Sequence, residues 1–300
     1  MEKRRFGKTD MFVSVLGFGG AEIGYQQASL STVERLLGSA LDAGLNVIDT
    51  AECYKSSEEL IGQAVKHRRN DYYLFTKCGH ASGFDAKDWD PRMLADSIDR
   101  SLQRLQTDYV DLIHLHSCSE AILRDGEVIA VLQRAQEAGK TRYIGYSGDG
   151  QAALYALQCG AFDSLQTSVN IADQQAIELT LPEAVVRQVG VVAKRPIANA
   201  AWMSGSEKPK EAYHHTYWER LQQLNYDFLK QDAAEGIEQA LRFTLSQPAV
   251  ATAIVGTTKP DRWLQNAALA DRGVLTNAQL LAIRARWNEV AAGKDWVGQG

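Results

Sequence analysis

The chain has 300 residues, 45% of them hydrophobic and 23% charged, with a formal net charge of −5 at pH 7. Such a chain can bury roughly 75% of its unfolded-state surface and needs no disulfide staples. The acidic balance argues against nucleic acid or an anionic membrane as partner, no run of about 18 apolar residues is available to span a bilayer, and the polar start Met1–Phe6 leads into no secretory signal.

In chain order, the residues before Val13 are expected to form a short hairpin across the bottom of the molecule, and Val13–Phe18 is the first run of strand length. Ser31-Thr32-Val33-Glu34 then reads as a capping box opening a helix whose apolar stripe is Val33, Leu36, Leu37, Ala40 and Leu41, with Gly44 placed for a left-handed end. Leu45–Ile48 is the second strand, followed by a second possible capping box at Ser56 and Glu59, and Tyr72–Phe75 is the third. Asp90-Pro91 caps a helix with Leu94, Ile98, Leu102 and Leu105 on one face. After strand Tyr109–Leu115, the stripe Val128, Val131, Leu132 and Ala135 closes at Gly139. Strands Arg142–Tyr146, Ser164–Val169, Val191–Ala193 and Val250–Val255 follow. Ile197 to Gln231 is long, aromatic and irregular, which suits a lid or binding loop after the seventh strand, and Thr276–Val290 is a closing helix.

Strand then helix, repeated about eight times, is the plan of a (β/α)8 TIM barrel, here expected as a single domain over 1–300. A doubly wound open sheet would announce a G-x-G-x-x-G turn after its first strand. Gly17-Phe18-Gly19-Gly20 lacks that spacing. The four cysteines, Cys53, Cys78, Cys118 and Cys159, show no C-x-x-C pattern, so reduced thiols in a cytoplasmic protein are expected, and no metal-ligand set is read from the spacing.

Three consecutive strands end in groups that carry chemistry: Asp49 after Val47-Ile48, Lys77 after Phe75-Thr76, and His116 after His114-Leu115. The carboxyl ends of barrel strands converge on one face, so an acid, an amine and an imidazole would meet there, with Tyr54 starting the loop beside them. That set suits carbonyl reduction, because hydride arriving at a carbonyl carbon leaves an alkoxide that needs a proton. A nearby cationic lysine is expected to lower a tyrosine by roughly 1–3 pKa units, an aspartate to hold the lysine, and a histidine to polarise the carbonyl oxygen. His114 and His116 share a strand face, and spacing alone does not choose between them.

With those motifs in view, the sequence resembles the aldo-keto reductase superfamily. Asn46-Val47-Ile48-Asp49-Thr50-Ala51 with Tyr54, Phe75-Thr76-Lys77, and Asp108 through His116 are similar to its three catalytic segments, over a match running from about Arg4 to Asn266. The resemblance implies a tetrad of Asp49, Tyr54, Lys77 and His116, selecting His116 over His114, and hydride transfer from a nicotinamide cofactor without metal. It also implies cofactor contacts from Gly20, Ser147, Gln166, Lys194 and Arg195, and from the segment holding Gly256, Thr258, Lys259, Arg262 and Asn266. A strand, a Gly-Thr-Thr-Lys turn and a helix start form a plausible phosphate cradle in their own right, and Lys259 and Arg262 suit the 2′-phosphate of NADP(H), with NAD(H) as the alternative. Lys194 stands where many relatives carry an aromatic ring that stacks on nicotinamide, and Gly148 where asparagine is common. The pocket is expected to be lined by Tyr25, Phe84, Trp89, Trp202 and Trp218 and to take a small carbonyl compound or sugar. The competing functions are a nicotinamide-binding regulatory module and a barrel enzyme using Lys77 as a Schiff base.

Overall fold

The first apolar run divides in two in the structure, a computed structural model that describes residues 1–299. Phe12–Ser14 (β2) pairs antiparallel with Lys3–Arg5 (β1), and the chain turns at Val15 before Leu16–Gly19 (β3) enters the barrel. Ser14 makes the break: its backbone N–H donates to Asn46 Oδ1 at 2.6 Å and its hydroxyl to the Leu16 carbonyl at 2.9 Å. The remaining barrel strands are Val47–Asp49 (β4), Tyr73–Cys78 (β5), Val110–His116 (β6), Thr141–Ser147 (β7), Ser164–Ser168 (β8), Gly190–Lys194 (β9) and Val250–Gly256 (β10). All eight run parallel in sequence order, and β10 closes on β3 with Ala253 opposite Leu16 and Gly256 opposite Gly19. With helices between the strands, this is a (β/α)8 barrel carrying an N-terminal hairpin.

Side chains alternate along a strand, so residues two apart share a face. Val47, Phe75, Leu112, Val192 and Ala251 point inward at the base of the barrel, where Phe6, Met11 and Val13 of the hairpin pack against them. Ile48, Leu74, Ile113, Val191 and Val250 point outward into the shell of helices. The sequence fixes what lies above the apolar base: two residues beyond Val47 is Asp49, two beyond Phe75 is Lys77, two and four beyond Leu112 are His114 and His116, and two beyond Val192 is Lys194. A dry lower layer thus carries a polar upper one at the carboxyl ends of the strands.

Two helix starts differ from the sequence expectation. Ser29, not Ser31, caps helix Leu30–Asp42, accepting from the Thr32 N–H, so Glu34 has no capping role. Ser56 makes no side-chain cap for Ser57–Val65. Asp90 does cap Pro91–Leu105, accepting from the N–H groups of Arg92 and Met93, and Gly44 and Gly139 take the left-handed conformation expected of them, with φ of +95° and +75°.

The segment after β9 is more ordered than its composition suggests. It holds helix His215–Leu224 and three short 3-10 turns. Trp202, Tyr217 and Leu221 form a second apolar cluster with Phe243 and with Ile283 and Trp287 of the closing helix Asn277–Ala291. No helix among the described residues is long and apolar enough to cross a membrane.

Candidate active site

The polar layer is wired across the barrel. Lys77 Nζ donates to Asp49 Oδ2 at 2.5 Å and to the Thr50 carbonyl at 2.7 Å. The other Asp49 oxygen accepts from Gln166 Nε2 at 2.9 Å, and Gln166 Oε1 accepts from the Ser147 hydroxyl at 3.0 Å. Ser147, Gln166, Asp49 and Lys77 therefore form one chain of hydrogen bonds through β7, β8, β4 and β5. Burial raises the Asp49 carboxyl above the usual carboxylate range against the opposing pull of Lys77 and Gln166.

Tyr54 lies over this pair. Lys77 Nζ is 5.1 Å from the centre of its ring, and the His116 ring meets it edge-on at 5.8 Å. The turn carrying Tyr54 is pinned from both sides. Its N–H donates to the Ala51 carbonyl, its own carbonyl accepts from the Ser57 N–H, and the Ser57 hydroxyl donates to the Gly20 carbonyl at 2.7 Å. Helix Ala21–Tyr25 presses on the same turn, and a Cβ at Gly24 would lie 1.9 Å from the Tyr54 carbonyl oxygen, so only glycine fits there. The expected lowering of the Tyr54 pKa is not found: burial, then the Asp49 charge, hold the phenol well above its ordinary value of 10.0. The amine that was to lower it is spent on Asp49 and Thr50.

The two histidines of β6 separate clearly. His114 is fully buried, with Nε2 3.0 Å from the Ser164 hydroxyl. His116 is half-buried at the strand end, with Nδ1 3.4 Å from Cys53 Sγ. Burial and the Lys77 charge push the pKa of His116 well below 6.5, so its imidazole is neutral.

Around the rest of the mouth, Lys194 Nζ pairs with Asp149 at 3.0 Å, and Asp149 also accepts from Thr167, from the Ser168 N–H and from the Ser168 hydroxyl. Arg195, in a left-handed conformation with φ of +56°, donates to Tyr213 and Ser168. After β10, the Thr257 hydroxyl accepts from the Lys259 N–H and the Thr258 hydroxyl reaches Gln26 at the start of helix Pro260–Ala270. Lys259 and Arg262 have no ion-pair partner among the described residues, which leaves two free cations at a helix N-terminus. Asn266 is buried in the same helix. Asn170, just past β8, is fully buried with no acceptor for its Nδ2 among the described residues. Free cations and an orphaned buried donor at the carboxyl ends of the strands fit an anionic nicotinamide cofactor.

The aromatic residues named from the sequence do not gather in one place. The Tyr25 ring lies 5.8 Å from that of Tyr54, and Trp89 lies 5.2 Å from His80, whose ring is in turn 5.1 Å from His116. Phe84 lies under the Arg100 guanidinium at 3.6 Å. Trp202 belongs to the second apolar cluster, and Trp218 packs against it with its indole N–H donating to the Gly205 carbonyl. Several residues at the mouth had no sequence signal: Ser57, Gly24, Asp149, His80, and Glu22, whose half-buried carboxyl fills the space beside Gly256, where a Cβ would lie 1.6 Å from Oε2. Each is significant only through a neighbour distant in sequence.

The chain resembles known proteins over most of its length. The "Uncharacterized oxidoreductase YqkF" of Bacillus subtilis is 28% identical over 303 residues, spanning 95% of this chain and 96% of that protein. The "NADH-specific methylglyoxal reductase" of Escherichia coli is 31% identical over 217 residues, 65% of this chain and 66% of its own. Among solved structures, the holo form of aldo-keto reductase AKR11C1 from Bacillus halodurans superposes with a TM-score of 0.82 at 28% identity, covering 95% of this chain and 96% of that one. A profile of the Aldo/keto reductase family matches residues 15–288. With a closed barrel, a polar layer at its mouth and a match over nearly its whole length, the chain is an oxidoreductase that belongs to the Aldo/keto reductase family.

Proposed function

We propose that this oxidoreductase reduces aldehyde, ketone or sugar carbonyls to alcohols in the cytoplasm, preferring NADPH over NADH, with Tyr54 as the proton donor. The observation that carries this reading is the position of Tyr54, whose ring lies 5.1 Å from Lys77 Nζ and 5.8 Å from the His116 ring above the Asp49 carboxylate. Four free cysteines agree with a reducing compartment.

When bound, reduced nicotinamide supplies the hydride for the carbonyl carbon. The chain's own residues do the rest. Neutral His116 donates a hydrogen bond to the carbonyl oxygen and draws charge toward it. Tyr54 keeps its proton in the free protein and releases it to that oxygen only as negative charge builds there, which is what a general acid requires. The Lys77 ammonium, fixed by Asp49 and the Thr50 carbonyl, stabilises the phenolate left behind. Gln166, itself held by Ser147, keeps Asp49 in place, and Ser147, Gln166, Gly20, Lys194 and Arg195 would contact the cofactor when it is bound. Gly256, Thr258 and Asn266 would hold the adenosine end, and Lys259 and Arg262 would supply the positive charge for a 2′-phosphate. One relative's name specifies NADH, so both cofactors belong in the test.

The deciding experiment offers purified protein a panel of aldehydes, ketones and sugars with each cofactor and follows the absorbance of the reduced nicotinamide. We expect consumption with at least one carbonyl class, faster with NADPH. Tight cofactor binding with no consumption on any carbonyl would instead favour a regulatory module.

A further inference from the structure

The fold brings together three donors that the sequence keeps apart. Cys53 lies in the turn after β4, His80 in the loop after β5 and His116 at the end of β6, so three adjacent strands each deliver one of them. One ligand atom from each lies within 4.8 Å of the other two, and all three residues are half-buried. We propose that Cys53, His80 and His116 form a binding site for a zinc-type divalent cation, and that the ion holds the enzyme in an inactive state; the second clause rests on the function proposed above.

The geometry carries the argument. In a tetrahedral zinc centre with Zn–S of about 2.3 Å and Zn–N of about 2.0–2.1 Å, a sulfur and a nitrogen ligand stand about 3.6 Å apart. Cys53 Sγ and His116 Nδ1 are already 3.4 Å apart, and neither atom has another polar partner among the described residues. The third ligand is the adaptable one, since His80 belongs to an exposed loop and can close the remaining distance by small rotations of its side chain. Its Nδ1 lies 3.0 Å from Asp88 Oδ2, which leaves Nε2 as the free nitrogen. A carboxylate behind a histidine is the usual way to fix the tautomer and raise the basicity of a metal ligand. Trp89 backs the His80 ring at 5.2 Å and holds the loop against Gly79, its N–H donating to the Gly79 carbonyl at 2.8 Å.

Two imidazoles and a thiolate select a borderline-soft ion such as zinc over magnesium or calcium, and three protein ligands leave a fourth position open. Binding exchanges the Cys53 thiol proton for the ion and releases that proton to solvent; no oxidant or reductant is involved. An ion here takes up His116 and crowds the space between its ring and Tyr54, so zinc and carbonyl substrate compete.

Cobalt(II) added to the full-length protein tests the site without substrate or turnover. The expected result is one equivalent bound, with tetrahedral visible bands and a near-ultraviolet thiolate-to-cobalt band, all displaced by zinc. Cys53→Ser should abolish the thiolate band, Cys159→Ser should leave it, and His80→Ala should weaken cobalt binding at least ~10-fold, removal of a ligand costing no less than loss of its supporting partner. No thiolate band in the unaltered protein, or a band that survives Cys53→Ser, would overturn the site. His80→Ala keeps the test decisive if Cys53→Ser fails to fold, since unchanged affinity in it would also overturn the site. In turnover assays zinc should inhibit competitively with the carbonyl and be reversed by a chelator. Full turnover at zinc concentrations that displace cobalt would overturn the inactive state, while cobalt binding to a protein that reduces nothing would count against the proposed function alone.

Discussion

At the scale of single residues, the groups beneath the site carry unusual protonation. Glu58, in the helix that follows Tyr54, accepts from the Thr76 hydroxyl at 2.6 Å, and its second oxygen has no hydrogen-bond donor among the described residues. Burial lifts its carboxyl from 4.5 to about 7, outweighing the Thr76 hydrogen bond and the Arg104 charge. An acid whose pKa is raised by folding is protonated in the native state where the unfolded chain has already ionised. Its contribution to stability is therefore intact below pH 4.5 and lost as the pH rises to about 7. Urea midpoints measured between about pH 5 and pH 7 should fall in the unaltered protein and fall less in Glu58→Gln. An equal fall in both would remove Glu58 as the source. None of this was legible in the sequence, where Glu58 reads as an ordinary polar position in the first turn of a helix.

Individual elements place the chemistry, and here the sequence was most informative. The period-2 alternation that puts Val47, Phe75 and Leu112 in the base of the barrel necessarily puts Asp49, Lys77 and His116 in the layer above, so the polar layer could be read from strand ends alone. What could not be read was how one element presses on the next. Gly24 looks like a dispensable helix residue, yet its missing Cβ lets helix Ala21–Tyr25 seat against the Tyr54 carbonyl. Gly24→Ala should push that turn away and lower kcat by about 10-fold or more, because displacements near 1 Å cost up to ~100-fold, while the fold loses only ~1–3 kcal/mol. Unchanged kcat would show that the turn has slack. At the other side of the mouth, helix Pro260–Ala270 presents Arg262 without an ion-pair partner among the described residues. Arg262→Ala should raise the Kd for NADPH by ~10-fold, about 1.4 kcal/mol, and leave that for NADH nearly unchanged. Equal losses for both cofactors would refute the 2′-phosphate assignment.

For the molecule as a whole, closure of the barrel converts eight separate loops into one mouth, and the N-terminal hairpin seals the opposite end. Phe6 is fully buried against the base and packs 5.7 Å from the Phe75 ring. Phe6→Ala should cost about 3–5 kcal/mol with kinetic constants little changed once folded, measurable by denaturant unfolding; a loss below about 1 kcal/mol would mean the hairpin is no plug. The alternation of strands and helices was enough to predict this architecture, and the hairpin followed from the polar lead before Val13. The segment after β9 was not legible in the same way. Its aromatic residues suggested a pocket lining, but Trp202 and Tyr217 pack with Phe243, Ile283 and Trp287 from two distant helices. Burial among partners that far away leaves no local pattern to read. The cluster of Cys53, His80 and His116 escaped for the same reason, because only barrel closure brings those loops side by side.

Whether the Tyr54 phenol delivers the proton is decided by removing its hydroxyl. Steady-state reduction of the best carbonyl substrate is measured for the unaltered protein and for Tyr54→Phe, alongside cofactor affinity by fluorescence titration. Turnover should fall by roughly 10²–10⁴-fold in Tyr54→Phe while cofactor affinity stays within about 2-fold. Turnover that survives removal of the hydroxyl would contradict proton delivery by Tyr54.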